Sequence, residues 1–349
     1  MKQLLAPIEW LLKKVAKTRV SLYERGIFRA SSAEVLVISV GNITVGGTGK
    51  TPLVEQIARF LKESNHRPAI LSRGYRGKYS ERIHVVSDTR KLHSNWELAG
   101  DEPYLLAKRL PGIPVIVSKN RFLAGEFAHK MLGADALILD DGYQHLRLKR
   151  DLNILIVDCT NPFGGGHMPP LGRLREPLDA IRRADMVMLN RHDHPHDEII
   201  IRKTIKKYHP EVRIFHCTNR PVKFRLFGRP EQFDISEFQG VKAALFCGIG
   251  NPGPFRSDID RLGVEIVLCF NYRDHHRYSE KEIRWMTKEA LKKGAEFLVT
   301  TEKDAVRLPP VEGNDLSIIV LEAEAIVQEE GRFRSCLLEP AGRMLNTHL

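Results

Sequence analysis

Residues 41–52, GNITVGGTGKTP, form a glycine-rich segment directly after the apolar run VLVISV. Glycine lets a backbone approach a ligand closely, and the N–H groups at the start of a following helix favour a bound anion. Lys50 would reach the β- and γ-phosphates of a nucleotide, and the Thr51 hydroxyl would hold Mg²⁺. The segment is therefore predicted to bind nucleotide phosphates through Thr44, Val45, Gly46, Gly47, Thr48, Gly49, Lys50 and Thr51.

The segment departs from the strict phosphate-loop pattern at one position. That pattern has glycine at position 44, where this chain has Thr44, and glycines stand instead at Gly46 and Gly47. The sequence thus follows the G-G-x-G-K-T variant of the loop. A glycine-rich turn with a chance Lys-Thr pair is the alternative, and the flanking strand and helix patterns favour the nucleotide site.

Two acidic pairs occupy positions where carboxylates could do chemistry. Asp140 and Asp141 follow the apolar run ALIL, and a carboxylate at such a strand end can hold a metal ion directly or through water. Their alternative is a turn cap before a glycine. Asp101 and Glu102 begin a predicted helix, where acidic residues commonly stabilise the helix N-terminus. Spacing alone leaves both a catalytic and a capping role open for the second pair.

Other polar segments also follow predicted strands. SRGY (72–75) supplies a basic and an aromatic residue, and LREP (174–177) follows the glycine- and proline-rich run GGGHMPP. YRDHHRY (272–278) sets two histidines beside an aspartate, a pair that can relay a proton. RHDHPHD (191–197) resembles a metal-binding tract, although its internal proline favours a solvated loop.

The elements that must position these residues alternate between apolar, β-branched runs and helical segments. This pattern predicts an α/β fold with a mostly parallel sheet of the phosphate-loop NTPase type, covered by helices on both faces. The expected strands lie near 35–40, 68–72, 114–118, 136–140, 153–158, 186–190, 212–216, 243–250, 265–270, 297–301 and 316–321. We expect an N-terminal amphipathic helix (1–30), a phosphate-loop domain (31–219), a linker or hairpin (220–240) and a smaller C-terminal α/β domain (241–349).

The cysteine content and the net charge of the 349-residue chain indicate its compartment and limit the classes of partner it could bind. The five cysteines form no C-x-x-C pair, which indicates a reducing compartment and buried, inert thiols. The formal charge of +11 suggests an anionic partner, whether nucleic acid, an acidic membrane surface or a phosphorylated substrate. No RNA-binding aromatic signature or zinc finger is present, so nucleic acid is the least favoured of the three.

The first twenty residues, MKQLLAPIEWLLKKVAKTRV, combine apolar residues at helical spacing with the basic residues Lys13, Lys14, Lys17 and Arg19. No 18-residue apolar run is present, so the apolar part of the segment is too short to span a bilayer. A basic amphipathic helix can lie in a membrane interface. A first helix packed on its own domain is the equally favoured alternative.

Taken together and in this order, the motifs resemble those of the tetraacyldisaccharide 4'-kinase family, the lipid A 4'-kinases of Gram-negative bacteria. The resemblance covers roughly residues 1–310 and rests on GNITVGGTGKTP, SRGY, GDEP, LDDGYQH, LREP, DHH and TTEKDAVRL. It implies transfer of phosphate from ATP, with Mg²⁺, to the 4'-hydroxyl of an acylated glucosamine disaccharide 1-phosphate. It also implies a monomer attached peripherally to the anionic cytoplasmic face of the inner membrane, with no nucleic-acid partner.

The resemblance assigns roles to individual residues. Asp101 falls on the catalytic aspartate and His275 on the histidine that works with it, across domains that we expect to close during catalysis. His276 matches less firmly. The implied metal-site residues are Thr51, Glu102, Asp140 and Asp141. The remaining implied active-site residues are Arg73, Tyr75, Gln144, His145, Arg175, Glu176 and Asp274.

Two other classes of protein remain as alternatives. A nucleotide-driven switch or metallochaperone could use the same loop, although it would not require the GDEP and DHH motifs. A nucleic-acid-stimulated ATPase is suggested by the charge alone, and added DNA or RNA would reveal it in an ATPase assay.

Overall fold

The computed structural model describes residues 2–191, 198–311 and 313–346. The histidine tract predicted as a loop lies, apart from its first residue, outside the described residues. The chain divides into two compact units. Unit 1 contains the described residues up to Asn219 and those from Ala325 onward, and unit 2 is Arg220–Glu324.

Helices and strands alternate through most of the described chain. The α-helices are α1 (Lys2–Glu24), α2 (Lys50–Glu63), α3 (Trp96–Ala99), α4 (Asp101–Arg109), α5 (Arg121–Leu132), α6 (Glu198–Tyr208), α7 (Pro252–Arg261), α8 (Glu280–Lys292), α9 (Glu302–Ala305) and α10 (Glu330–Asn346). The strands are β1 (Leu36–Gly41), β2 (Pro68–Ser72), β3 (His84–Ser87), β4 (Val115–Val117), β5 (Ala136–Asp140), β6 (Leu152–Asp158), β7 (Met186–Asn190), β8 (Arg213–Leu226), β9 (Gln232–Phe233), β10 (Lys242–Cys247), β11 (Glu265–Asn271), β12 (Phe297–Thr301) and β13 (Ser317–Val327).

The sheet of unit 1 has the order β8-β7-β6-β1-β5-β2-β4-β3. All its pairings are parallel except that of β3 with β4. Alternate residues of β1 face opposite sides, so that Ile38 packs in one core cluster with Ile57 of α2, and Val37 packs in another with Ala124 of α5. The prediction of a mostly parallel α/β fold is confirmed.

Unit 2 has its own parallel strands, in the order β11-β10-β12-β13. The region 220–240, expected as a linker or hairpin, contains the second half of β8, which pairs antiparallel with β9 through Phe224 and Phe233. Arg225 and Gln232 form the second pair of this antiparallel ladder.

The C-terminal segment differs from the expected domain division. Residues 241–349 were predicted as one domain, whereas those from Ala325 belong to unit 1. The reason is packing, because Phe333 of α10 is wholly buried, with its ring centroid 5.4 Å from that of Phe215 and 6.3 Å from that of Phe60. Helix α10 therefore packs on unit 1 through residues that are far from it in the sequence, which local sequence patterns do not predict.

The cysteines are all free thiols, as the sequence predicts. Cys159, Cys217, Cys247 and Cys336 are buried, and Cys269 is half-buried. Burial raises the pKa of Cys217 and of Cys247 to about 12. The thiols of Cys217 and Cys247 are therefore protonated and unreactive in the folded chain.

No helix among the described residues combines the length and the apolar character needed to cross a membrane. Helix α1 is long, but apolar side chains along it are exposed together with charged ones.

Candidate active site

The glycine-rich segment connects β1 to α2 at the centre of the unit 1 sheet. Gly49 has φ 78°, and a Cβ there would lie 2.1 Å from the side-chain nitrogen of Asn190. Asn190 in turn donates a hydrogen bond to the Thr48 carbonyl at 2.8 Å. Arg191 donates to the Gly47 carbonyl at 3.3 Å. The end of β7 thus fixes the loop conformation, and only glycine fits beside Asn190.

A second segment holds the loop from the LREP side. The Val45 N–H donates to the Arg173 carbonyl at 2.7 Å, and the Arg175 N–H donates to the Ile43 carbonyl at 2.7 Å. Thr44 and Leu174 form the antiparallel bridge between these two bonds. The LREP motif and the glycine-rich loop are therefore one hydrogen-bonded structure, although they lie about 130 residues apart.

Lys50 begins α2 and points back toward the strand ends. Its side chain is buried, and its Nζ lies 3.4 Å from Asn42 Oδ1 and 3.4 Å from Asp141 Oδ1. Thr51 is buried beside it at the helix start. The backbone N–H groups and the Lys50 ammonium give this loop the features of an anion site at a helix N-terminus.

Asp140 and Asp141 follow β5, whose parallel register pairs Asp140 with Val40 of β1. Asp140 is buried, and its Oδ2 accepts a hydrogen bond from Ser72 Oγ at 3.2 Å. Burial, Glu102 and Asp141 together raise the pKa of Asp140 to about 7. This carboxyl therefore resists ionisation unless a positive charge is placed near it.

Asp141 titrates in the opposite direction. It takes the left-handed backbone conformation, with φ 52°, and accepts bonds from Arg175 Nη1 at 2.9 and 2.7 Å. Although burial alone would raise its pKa, Lys50 and Arg175 lower the pKa of Asp141 to about 2. Asp141 is therefore fixed as an anion between two cations.

The donor set at this edge of the sheet fits Mg²⁺. Asp140 Oδ1 is buried and has no hydrogen-bond partner in the described structure, which leaves an oxygen available to a hard cation. Within the described ranges, no group of three or more His, Cys, Asp or Glu side chains forms a metal cage. The arrangement suits a cation held partly by nucleotide phosphates, as Mg²⁺ usually is.

Asp101 and Glu102 lie at the start of α4, as the sequence predicts. Asp101 is buried as the first residue of α4, and its Oδ1 accepts the N–H of the next residue, Glu102, at 3.1 Å. Glu102 is near enough to Asp140 to raise the pKa of that carboxyl. A Cβ on Gly100 would lie 2.8 Å from the Tyr75 carbonyl oxygen, so the GDEP and SRGY segments touch.

Two side chains of the SRGY segment are exposed, whereas Ser72 is buried against Asp140. Arg73 is exposed, and its carbonyl accepts the Tyr79 hydroxyl at 2.9 Å. Tyr75 is exposed, with the Arg76 guanidinium 5.6 Å from the ring centroid. Both predicted residues are thus available to a ligand in solution.

Gln144 connects the start of the glycine-rich loop to Glu176 through hydrogen bonds. Gln144 Nε2 donates to the Asn42 carbonyl at 2.8 Å and to Glu176 Oε2 at 3.0 Å. The same Glu176 oxygen pairs with Arg183 at 2.6 Å. In this structure Glu176 supports the loop from below, whereas its neighbour Arg175 pairs with the acidic strand end.

His145 is neutral in this environment. Burial and the nearby guanidinium groups, Arg121 first, lower the pKa of His145 to about 4. Its Nε2 is buried without a hydrogen-bond partner in the described structure. Arg121 is itself buried at the start of α5, and burial lowers its pKa while Asp140 raises it.

Several of these residues were missed by sequence reasoning. Arg121 lies three residues after the strand run PVIVS, and this position beyond a strand end was the available signal. The roles of the other three residues are hydrogen bonds that no local pattern predicts: Asn42 to the Thr44 carbonyl, Arg183 to Glu176, and Asn190 to the Thr48 carbonyl.

The predicted histidines belong to unit 2. His275 has φ 61°, its N–H donates to the Gly248 carbonyl at 2.9 Å, and its Nε2 lies 3.8 Å from Asp274 Oδ2. His276 instead pairs with Glu282 at 2.9 Å. The two neighbouring histidines therefore have different environments.

The fold and the site of unit 1 define a phosphate-loop nucleotide-binding protein: a parallel sheet, a glycine-rich loop at a helix start, a buried lysine and an acidic strand end. The family model described as "LpxK: Tetraacyldisaccharide-1-P 4'-kinase" matches residues 1–341. The chain belongs to the tetraacyldisaccharide 4'-kinase family, as its motifs indicated.

Individual relatives agree with this assignment. The tetraacyldisaccharide 4'-kinase of Syntrophus aciditrophicus is 39% identical over 337 residues, which cover 92% of this chain and 88% of that one. The enzyme of the same name from Geobacter metallireducens is 39% identical over 295 residues, covering 84% and 85%. The crystal structure of LpxK from Aquifex aeolicus in complex with ATP superposes with a TM-score of 0.77 at 32% identity, covering 98% of each chain.

The raised pKa of Asp140 predicts a pH-dependent gain in stability for Asp140→Asn. Between its ordinary pKa of 3.8 and about 7, the folded chain holds a proton that the unfolded chain has lost. Folding stability from this group therefore falls as pH rises through that window. In Mg²⁺-free thermal melts, the variant should gain more over the wild type at pH 8 than at pH 5.

The variant Glu126→Gln is the control, because it removes a partly exposed carboxylate that pairs with Lys130 on the same helix. It should show little change at either pH. An Asp140→Asn difference that is equal at the two pH values would contradict the raised pKa.

Proposed function

We propose that this chain transfers the γ-phosphate of ATP to the 4'-hydroxyl of a tetraacyldisaccharide 1-phosphate, a step of lipid A biosynthesis. The observation that carries the proposal is the buried Lys50 at a helix start, 3.4 Å from the acidic end of β5, in a chain of this kinase family. The relative from Aquifex aeolicus, solved with ATP, supports the choice of nucleotide.

The glycine-rich loop, Thr44 to Thr51, would bind the phosphates of ATP through its backbone N–H groups and Lys50. Thr51, Asp140, Asp141 and Glu102 are the residues proposed to hold Mg²⁺. Bound there, Mg²⁺ would neutralise charge on the β- and γ-phosphates. Arg175 is held by Asp141 beside the loop, where a guanidinium can stabilise negative charge that develops on the transferred group.

Asp101 is the proposed general base. A bond forms between the 4'-oxygen of the sugar and the γ-phosphorus while the bond from that phosphorus to the β,γ-bridging oxygen breaks. The hydroxyl proton passes to Asp101, and ADP leaves. Burial of this carboxylate at the start of α4, in the segment that touches SRGY, supports a role in orienting the acceptor hydroxyl.

The substitution Lys50→Ala tests the assignment to a phosphate-loop kinase. Transfer of labelled γ-phosphate from ATP to an acylated disaccharide 1-phosphate should fall by a factor on the order of 10²–10³, because an electrostatic contact to the phosphates is lost. Lys62→Ala is the matched control, since this lysine lies in the last turn of the same helix and should leave transfer unchanged. Near-normal transfer by a folded Lys50→Ala protein would contradict the proposal.

The pairing of Asp101 with His275 is a separate proposal, inferred from the family motifs. Asp101→Ala and His275→Ala should each lower kcat by about 10²–10⁴, as expected for lost acid–base catalysis. If the two residues act as a unit, the double variant should be little worse than the poorer single one. Losses that multiply fully would show two independent contributions.

We also propose that helix α1 attaches the chain, as a monomer, to the anionic cytoplasmic face of the inner membrane. We call four residues at helical spacing the α1 stripe: Ile8, Leu11, Leu12 and Val15. They are 50%, 55%, 39% and 58% exposed, and Trp10 beside them is 61% exposed. An exposed apolar stripe of this kind suits a membrane interface, and a lipid acceptor requires the enzyme to come to the bilayer.

The basic residues of α1 have internal partners as well. Lys13 pairs with the buried Glu9 at 2.6 Å, and Lys17 pairs with Asp179 at 2.6 Å. Arg19 donates to the Gln144 carbonyl at 3.1 Å. Replacing these cations would therefore disturb packing and surface charge together, so the apolar stripe is the cleaner target for a test.

The double substitution Leu11→Gln/Val15→Gln should weaken sedimentation with vesicles of anionic phospholipid by about tenfold or more, because each buried aliphatic side chain contributes about 1.5–3 kcal/mol when fully inserted. The KM for vesicle-borne acceptor should rise, and the KM for ATP should not change. Met131→Gln/Ile200→Gln is the matched control, since these residues are 69% and 62% exposed elsewhere on unit 1.

The control variant should bind vesicles as the wild type does. If the stripe variant also binds normally while its melting temperature falls sharply, α1 is a packed structural helix and the membrane proposal is wrong.

A further inference from the structure

The motif TTEKDAVRL (300–308) surrounds a carboxylate that is wholly buried in unit 2. Asp304 Oδ1 accepts the Gly248 N–H at 2.8 Å, the Tyr278 hydroxyl at 2.8 Å and Arg307 Nη2 at 2.6 Å. Its Oδ2 accepts the Thr301 hydroxyl at 2.6 Å. Four donors thus converge on one side chain whose exposure is zero.

The same network reaches His275 through the backbone of Gly248. The Gly248 carbonyl accepts both the His275 N–H at 2.9 Å and Arg307 Nη2 at 3.1 Å. Tyr278, three residues after His275, bonds to Asp304 directly. The segment 275–278 is therefore tied to Asp304 at both ends, through Gly248 at one end and through the tyrosine hydroxyl at the other.

The network holds His275 in an uncommon backbone conformation. His275 has φ 61°, a left-handed conformation that few residues other than glycine adopt. A Cβ on Gly248 would lie 3.0 Å from the Arg273 carbonyl oxygen and 3.0 Å from His276 Cβ, so the loop packs tightly over this glycine. Uncommon backbone conformations persist where the surrounding contacts fix them, and they cluster at functional sites.

Fold stability alone is a weak reason for such a network. A buried carboxylate is costly to remove from water, and well-packed apolar residues often serve stability as well or better. Burial and Asp304 raise the pKa of Tyr278, so the tyrosine stays a hydrogen-bond donor at all working pH values. A buried side chain that accepts hydrogen bonds from four fixed donors instead specifies one loop geometry.

We propose that Asp304 is a positioning residue for His275, which it holds in place through Gly248, Arg307 and Tyr278. The proposal rests on the function proposed above, in which His275 takes part in phosphate transfer. It assigns a role to the TTEKDAVRL motif: this motif builds the support under the DHH loop, and its aspartate need not touch ATP or the acceptor.

The structural step is tested first, by hydrogen exchange in the full chain. Asp304→Asn should increase amide exchange by about tenfold or more at His275, whose N–H is bonded within the network. Glu322→Gln is the matched control, because it removes a carboxylate that pairs with Arg225 in the same unit. Unchanged exchange at His275 in Asp304→Asn would overturn the proposal.

The catalytic step is tested by combining substitutions, with kcat measured well below the melting temperatures of the wild type and of every variant. Asp304→Asn should lower kcat by about tenfold to a hundredfold, as small misplacements of catalytic groups do, with little change in the KM for ATP. In a His275→Ala background the same substitution should lower kcat less than about twofold further. An equal loss in both backgrounds would overturn the proposal, since Asp304 would then act independently of His275.

Failure of the proposed function gives a different result. A wild-type kcat for His275→Ala would remove His275 from the reaction and thereby overturn a catalytic role for Asp304, whatever hydrogen exchange shows about the loop. If Asp304→Asn does not fold, Tyr278→Phe removes a single donor from the network. It should reproduce the faster exchange at His275 and a smaller fall in kcat, and wild-type values for both would overturn the proposal.

Discussion

The contrast between two adjacent carboxylates governs the chemistry of unit 1. Asp141 is fixed as an anion by Lys50 and Arg175, whereas Asp140 lies in a buried position that raises its pKa to about 7. The difference follows from which neighbours each side chain meets, since one faces cations and the other faces Ser72 and Glu102. In the proposed function, a cation bound beside Asp140 would favour the ionised form of this carboxyl.

The parallel register of β1 and β5 makes this arrangement possible, because it aligns Asp140 with the last residues before the phosphate loop. Three further segments then fix the loop: the end of β7 through Asn190, the LREP segment through backbone bonds, and Gln144 from below. The loop is therefore shaped by strands that are neighbours in the sheet and far apart in sequence. Such support keeps a catalytic loop in one conformation before the ligand arrives.

Local patterns predicted much of this structure, because buried parallel strands appear as apolar runs and phosphate loops have a distinctive glycine spacing. The same patterns could not place α10, which returns to unit 1 through Phe333, nor the edge strand β3, whose four residues give too short a signal. Within the site, the sequence identified residues that bear charge at strand ends. It missed the supporting role of Glu176, since that role depends on Arg183 and Gln144 meeting it in space.

The buried cysteines give the unmodified chain an internal measure of its own motions. Cys159, Cys217 and Cys336 belong to unit 1, and Cys247 belongs to unit 2. A thiol buried inside a core reacts with an alkylating reagent only while the surrounding segment is open. The alkylation rate at each of these positions therefore reports how often the segment around it opens. Mass spectrometry of the native protein would measure the opening rates of the two units separately, without any introduced label.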